Sequence, residues 1–83
     1  MSKKKIDLNP SIDVVGLLRN MENTYAHEPM TTVDGVKIDF SDSWVHLRKS
    51  NTEPIIRIYT EAPSQHQADA LADRFIAELK ALS

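Results

Sequence analysis

The segment Arg48-Lys49-Ser50-Asn51-Thr52-Glu53-Pro54-Ile55-Ile56-Arg57 has the side chains needed to hold a small anion. Ser50 and Thr52 each offer a hydroxyl and Asn51 an amide, and the N–H groups of a tight turn can converge into an anion-holding concavity. Arg48 brings a planar fork that matches two oxygens of a phosphate or carboxylate at once. Pro54 stiffens the exit and pushes Glu53 into extended geometry, so the loop is partly shaped before a ligand arrives. Arg57 supplies either a second cation or a partner for Glu53. The same residues also suit an ordinary polar hairpin tip, since Ser, Asn, Thr and Pro favour turns for conformational reasons alone. Composition by itself favours that plainer reading.

The elements around this loop follow from periodicity. Ile6 and Leu8 alternate with Lys5 and Asp7 as a short strand. Asn9-Pro10 reads as the cap and first position of a helix, with Asp13 favouring its positive end. Ile12, Val15, Leu18, Met21 and Tyr25 recur at helical spacing, Gly16 weakens the run, and Glu28-Pro29 ends it. Met30 to Val33 leads into Asp34-Gly35, a two-residue hairpin signal. Val36 to Phe40, Trp44 to Arg48 and Ile55 to Glu61 complete the strands. Pro63-Ser64 opens a last helix, with Ser64 and Gln67 placed as a capping box. Ala68, Leu71, Ala72, Phe75, Ile76 and Leu79 form its apolar stripe.

The order β-α-β-β-β-β-α predicts an α+β fold: a two-layer sandwich, an antiparallel sheet with both helices on one face. Val36, Ile38, Phe40, Val45, Leu47, Ile56 and Ile58 are expected to face the helices. Trp44, His46, Arg48, Arg57 and Tyr59 are expected on the opposite face.

With 83 residues and no composition break, residues 1–83 read as one domain. A net charge of −2 argues against general nucleic-acid binding but leaves room for one local basic pocket. No apolar run reaches membrane-spanning length and no signal peptide opens the chain, so neither a membrane nor a secretory role is expected. The absence of cysteine excludes disulfides and thiolate metal sites and suits a cytoplasmic protein. His27, His46 and His66 lack metal-ligand spacing, and no metal site is expected. Lys3-Lys4-Lys5 reads as a solvated tail, with residues 1–5 expected to be flexible. Trp44 and Tyr59 are either a docking surface or half-buried aromatics shielding the sheet. Glu53 reads as a partner of Arg57 or Lys49, in preference to a catalytic base.

The ordered string Arg48-x-Ser50-Asn51-Thr52-Glu53-Pro54-x-x-Arg57-x-Tyr59-x-Glu61-Ala62, with Asp34-Gly35 and Trp44 upstream, resembles the C-terminal domain of the α-D-phosphohexomutases. These are the phosphoglucomutase, phosphomannomutase and phosphoglucosamine mutase enzymes. The resemblance covers nearly the whole chain and implies a TATA-box-binding-protein-like form of the sandwich. It further implies a fragment of a four-domain isomerase that interconverts hexose 1-phosphate and hexose 6-phosphate. In such an enzyme a phosphoserine, a Mg²⁺ loop and a sugar-recognition loop lie in the other three domains. Arg48, Ser50, Asn51 and Thr52, with Arg57 as an addition, would grip the non-reacting phosphate of the phosphosugar substrate. No catalytic residue, metal or cofactor is expected in this chain, which alone should be inactive, with Met1 an added start. Asn51 leans toward the phosphomannomutase/phosphoglucomutase branch. The competing expectation is a free-standing regulatory or interaction module, in which the Trp44/Tyr59 face is the working surface.

Overall fold

The computed structural model describes residues 1–8, 11–32, 35–50 and 53–82. Its elements are β1 (Ser2–Asp7), α1 (Val14–Thr24), β2 (Met30–Thr31), β3 (Val36–Asp39), β4 (Trp44–Lys49), β5 (Ile55–Glu61) and α2 (Gln65–Leu82). The strands form one sheet in the order β1-β5-β4-β3-β2, antiparallel at every pairing. This is the α+β two-layer sandwich expected from the order of elements.

Period-two alternation decides which sheet face is covered. Val36, Ile38, Val45, Leu47, Ile56 and Ile58 are buried beneath Leu17, Leu18, Met21 and Tyr25 of the first helical segment and Ala72, Phe75 and Leu79 of α2. Each such aliphatic or aromatic side chain contributes about 1.5–3 kcal/mol by leaving water. Thr60 shares this buried face, and its hydroxyl donates to the Ala68 carbonyl at 2.7 Å, fixing β5 to the start of α2. Ser64 caps that helix as expected: its Oγ accepts the Gln67 N–H at 3.1 Å and bonds the Gln67 side chain at 3.2 Å.

The first helix departs from expectation. Its cap is Asp13, whose carboxylate accepts the Gly16 N–H at 3.1 Å while its carbonyl accepts the Leu17 N–H at 3.0 Å. Asn9 and Pro10 lie outside the described residues. With the start moved to Val14, the apolar stripe becomes Val14, Leu17, Leu18, Met21 and Tyr25, and Val15 is 50% exposed. Gly16 is no defect, because a Cβ there would meet Asp13 Oδ2 at 2.7 Å. The helix also ends earlier, at Thr24, with Tyr25 as its C-cap.

Two further corrections concern strands. Lys3, Lys4 and Lys5 are no flexible tail: they lie within β1, paired to Tyr59, Ile58 and Arg57 of β5. Lys4 turns to the helix side and bonds Asp73 at 2.7 Å, which raises its pKa. Val33 and Asp34 of the expected hairpin turn lie outside the described residues, but the β2–β3 register, Met30 opposite Ile38 and Thr31 opposite Lys37, is one residue off that of a two-residue Asp34-Gly35 turn. A two-residue turn would set Met30 beside Asp39 on the open face; the observed register packs Met30 against the core.

Tyr25 fastens the two helices together. Its ring lies 5.2 Å from that of Phe75, its hydroxyl reaches the Glu78 carboxylate oxygens at 2.7 and 2.8 Å, and Arg74 donates to it at 3.0 Å. Burial, reinforced by the Glu78 bond, raises the Tyr25 pKa above its ordinary 10.0. The folded state therefore favours the neutral phenol, and this stabilisation is complete below that value and lost as pH rises through the folded pKa. Tyr25→Phe should lower unfolding stability by about 1 kcal/mol in denaturant titration at neutral pH. The variant should also lose less stability than the wild type between neutral pH and pH values above the ordinary phenol pKa.

Candidate functional site

The β4–β5 pairing builds the candidate loop. Leu47 lies opposite Ile58, Arg48 opposite Arg57 and Lys49 opposite Ile56, and the Ser50 N–H closes the ladder on the Ile55 carbonyl at 3.2 Å. Beyond that bond the chain must reverse. The Glu53 N–H is accepted by Ser50 Oγ at 3.3 Å, a local side-chain turn. The Ile55 N–H bonds the Glu53 carbonyl at 2.8 Å, a three-residue turn centred on Pro54, whose fixed φ suits it. The Pro54 carbonyl in turn accepts the Leu8 N–H at 2.7 Å, so the loop exit is moored to the end of β1. The base of the loop is thus tied by these four hydrogen bonds.

Arg48 and Arg57 are brought together as cross-strand partners on the open face, and both are exposed. Their Cβ atoms are then about 5 Å apart, a spacing at which like charges repel. Ser50 stands at the loop base, half-buried. Asn51 and Thr52, the other two expected gripping residues, lie outside the described residues. Among the described residues Glu53 makes no ion pair with Arg57 or Lys49, contrary to expectation; its contribution to holding the loop is through its backbone.

The approach of β3 to Arg48 depends on Gly35. It has φ +87°, and a Cβ there would collide with the Leu47 carbonyl oxygen and come within 3.3 Å of Arg48 Cα and Cγ. Glycine is the residue that tolerates both demands.

The rest of the open face is partly covered aromatic and charged surface. Trp44 and Tyr59 are half-buried; Lys37 Nζ sits 5.0 Å from the Trp44 ring centre and 3.4 Å from Asp39. His46 lies beside Tyr59, with ring centres 6.4 Å apart. Sequence reasoning missed Lys3 and Lys5, which share this face through their pairing with Tyr59 and Arg57. Their alternation with Lys4 and Ile6 was the available signal. Among the described residues no three His, Asp or Glu side chains gather as a metal-holding group.

Residues 2–78 match the family model described as phosphoglucomutase/phosphomannomutase, C-terminal domain. The chain belongs to this family. Among curated relatives, the phosphoglucosamine/phosphogalactosamine mutase of Sulfurisphaera tokodaii is 40% identical over 73 residues, covering 86% of this chain and 16% of that protein. A probable phosphoglucosamine mutase of Methanopyrus kandleri is 47% identical over 51 residues, covering 61% of this chain and 11% of the relative. A phosphoglucomutase/phosphomannomutase of Thermococcus kodakarensis is 60% identical over 37 residues, covering 45% and 8%. The chain therefore spans a small fraction of the length of these enzymes. As a phosphohexomutase C-terminal domain, it carries its loop on β4 and β5, within the matched residues.

Gly35→Ala should destabilise the domain by about 1–3 kcal/mol, the usual range for a side chain forced into strained backbone geometry. Chemical denaturation measures the loss, and amide exchange at Leu47 and Arg48 should rise more than at Phe75.

Proposed function

We propose that this chain is the phosphate-gripping C-terminal domain of a phosphosugar mutase that interconverts hexose 1-phosphate and hexose 6-phosphate. Its loop holds the phosphate that is not being transferred. The observation that carries this reading is the pairing of Arg48 with Arg57 beside a loop base tied by Ser50, Glu53 and Pro54, in a chain of this family. Guanidinium groups at directly opposed positions offer a dianion two charge-assisted partners side by side at the loop base.

The chemistry of such a grip is positional. Binding energy from an inert phosphate orients the distant reacting end of the sugar, which lowers the barrier without touching it. Arg48 and Arg57 supply charge-assisted bonds, Ser50 a hydroxyl, and Asn51 and Thr52 further neutral donors. Phosphate monoesters bound in two orientations require a grip on the phosphate group in preference to a fixed hydroxyl pattern. The phosphoryl donor, the Mg²⁺ and the sugar contacts belong, in this reading, to other domains of a larger cytoplasmic enzyme, and the chain alone is inactive. Relatives named for glucosamine, glucose and mannose phosphates support the class of substrate; the Asn51 lean toward the phosphomannomutase/phosphoglucomutase branch is part of the proposal.

Amide NMR titration with glucose 6-phosphate tests it. Shifts should centre on Ser50 and its loop, and Arg48→Ala should weaken them by about tenfold or more, the equivalent of one charge-assisted hydrogen bond. Affinity should also fall below about pH 6, where a phosphate monoester takes up its second proton. Shifts scattered over the surface and unchanged in Arg48→Ala would instead support a free-standing interaction module.

A further inference from the structure

We infer that Gly35 is a positioning residue for Arg48: its bare Cα is the wall against which the Arg48 side chain is held in place for an anion. The role rests on the reading of the loop as a phosphate grip, and it falls to a residue outside that loop. β3 pairs with β4 through Val36 opposite Leu47, so one further step along the register brings Gly35 alongside Arg48. There the backbone leaves strand geometry, with φ +87°. The hydrogen that an L residue would replace points into β4. A Cβ in its place would collide with the Leu47 carbonyl oxygen and lie 3.3 Å from both Arg48 Cα and Arg48 Cγ. The position of Cγ is the first side-chain torsion of Arg48, from which the rest of the side chain follows. Gly35 meets Arg48 where its direction is decided.

A glycine before a strand has a plainer use, since it adopts positive φ without strain. Positive φ alone does not demand glycine, because Asn and Asp visit that region too. The close approach to β4 does, because every L side chain begins with the Cβ that Leu47 and Arg48 exclude. β4 lies between β3 and β5, so the Arg48 stem has Gly35 on one side and Arg57, its cross-strand partner, on the other. Arg48 is exposed, and a long exposed side chain loses rotamer freedom when it closes on a ligand. A wall that already fixes Cγ removes part of that loss before the anion arrives. Gly35 thus acts on affinity through Arg48.

The test compares four full-length chains: wild type, Gly35→Ala, the same change made with D-alanine by chemical synthesis, and Phe75→Leu. D-Alanine favours positive φ and carries its methyl on the other hydrogen, off the line to Arg48. Phe75→Leu costs stability in the core, against Tyr25 and Phe40. Hα–Hβ couplings of Arg48 in the free chain report its first torsion, and loop amide shifts with glucose 6-phosphate report affinity. Wild type should show one dominant Arg48 rotamer. Gly35→Ala should change it and weaken binding about two- to tenfold, the equivalent of ordering one long side chain. The D-alanine chain and Phe75→Leu should keep the wild-type rotamer and affinity. Arg48 averaged over its rotamers in wild type overturns the inference even where Gly35→Ala does not fold. So does a folded Gly35→Ala chain that binds as wild type, or an equal loss with D-alanine or Phe75→Leu. Loop shifts lost in Arg48→Ala but untouched in Gly35→Ala defeat this role alone, whereas no loop shifts in wild type defeat the grip and this role together.

Discussion

Everything that positions the candidate loop descends from the pairing of β4 with β5. Both are interior strands of the sheet, and they bury Val45, Leu47, Ile56 and Ile58 on one side while opposing Arg48 to Arg57 on the other. The favourable and unfavourable contacts are inseparable, because one register sets both. Shifting it by a residue to part the guanidinium groups would turn every buried aliphatic toward water. Burial of four such side chains outweighs one like-charge pair several-fold, at about 1.5–3 kcal/mol for each against less than about 1 kcal/mol. The core therefore holds two cations together at the root of a loop, which no local preference of arginine would do.

How much of this is legible in the sequence depends on whether a rule was local and unopposed. The Ser64/Gln67 box and the alternation in β3, β4 and β5 involve no competing choice, and the structure follows them. The start of α1 involved a contest. Asn9-Pro10 has good cap chemistry, but Asp13 has a glycine at the third helical position, where a Cβ would crowd the capping carboxylate. The decisive feature was thus a missing side chain, read in isolation as a weakness. The β2–β3 register departs from the local turn signal for a different reason. Asp34-Gly35 is a strong local signal, yet Met30 reaches the core only in the neighbouring register, and tertiary burial overrides turn preference.

In the site itself, the sequence named the loop but not its surroundings. Arg48 and Arg57 were separated by a loop of unknown register, so their opposition could be expected from parity and not fixed. Lys3 and Lys5 were hidden by a different mistake. A lysine run at a chain end suggests solvated tail, whereas alternation through Ser2, Lys4, Ile6 and Leu8 makes it an outer strand with one charged and one core-facing side. Three consecutive lysines in a strand do not form one patch: the middle one goes to Asp73 and the outer two join the open face.

That division explains how a chain of net charge −2 can present a basic surface. Acidic groups such as Asp69, Asp73 and Glu78 project from α2, where Lys4 and Arg74 pair with two of them. The open face holds Lys5, Arg48 and Arg57 toward its loop end, with Lys3 beside Tyr59 and Asp7 at the end of β1, while Asp39 and Glu61 lie beside Trp44, toward the other end of β4. Exposed charges further apart than about 8–10 Å are largely screened at physiological salt, so a small anion at the loop end is influenced chiefly by its immediate neighbours. The whole-chain sum is the right quantity for a long polyanion that touches many sites at once. For a phosphate-sized group the relevant quantity is the charge on a few residues of one sheet face, and that is set by strand register.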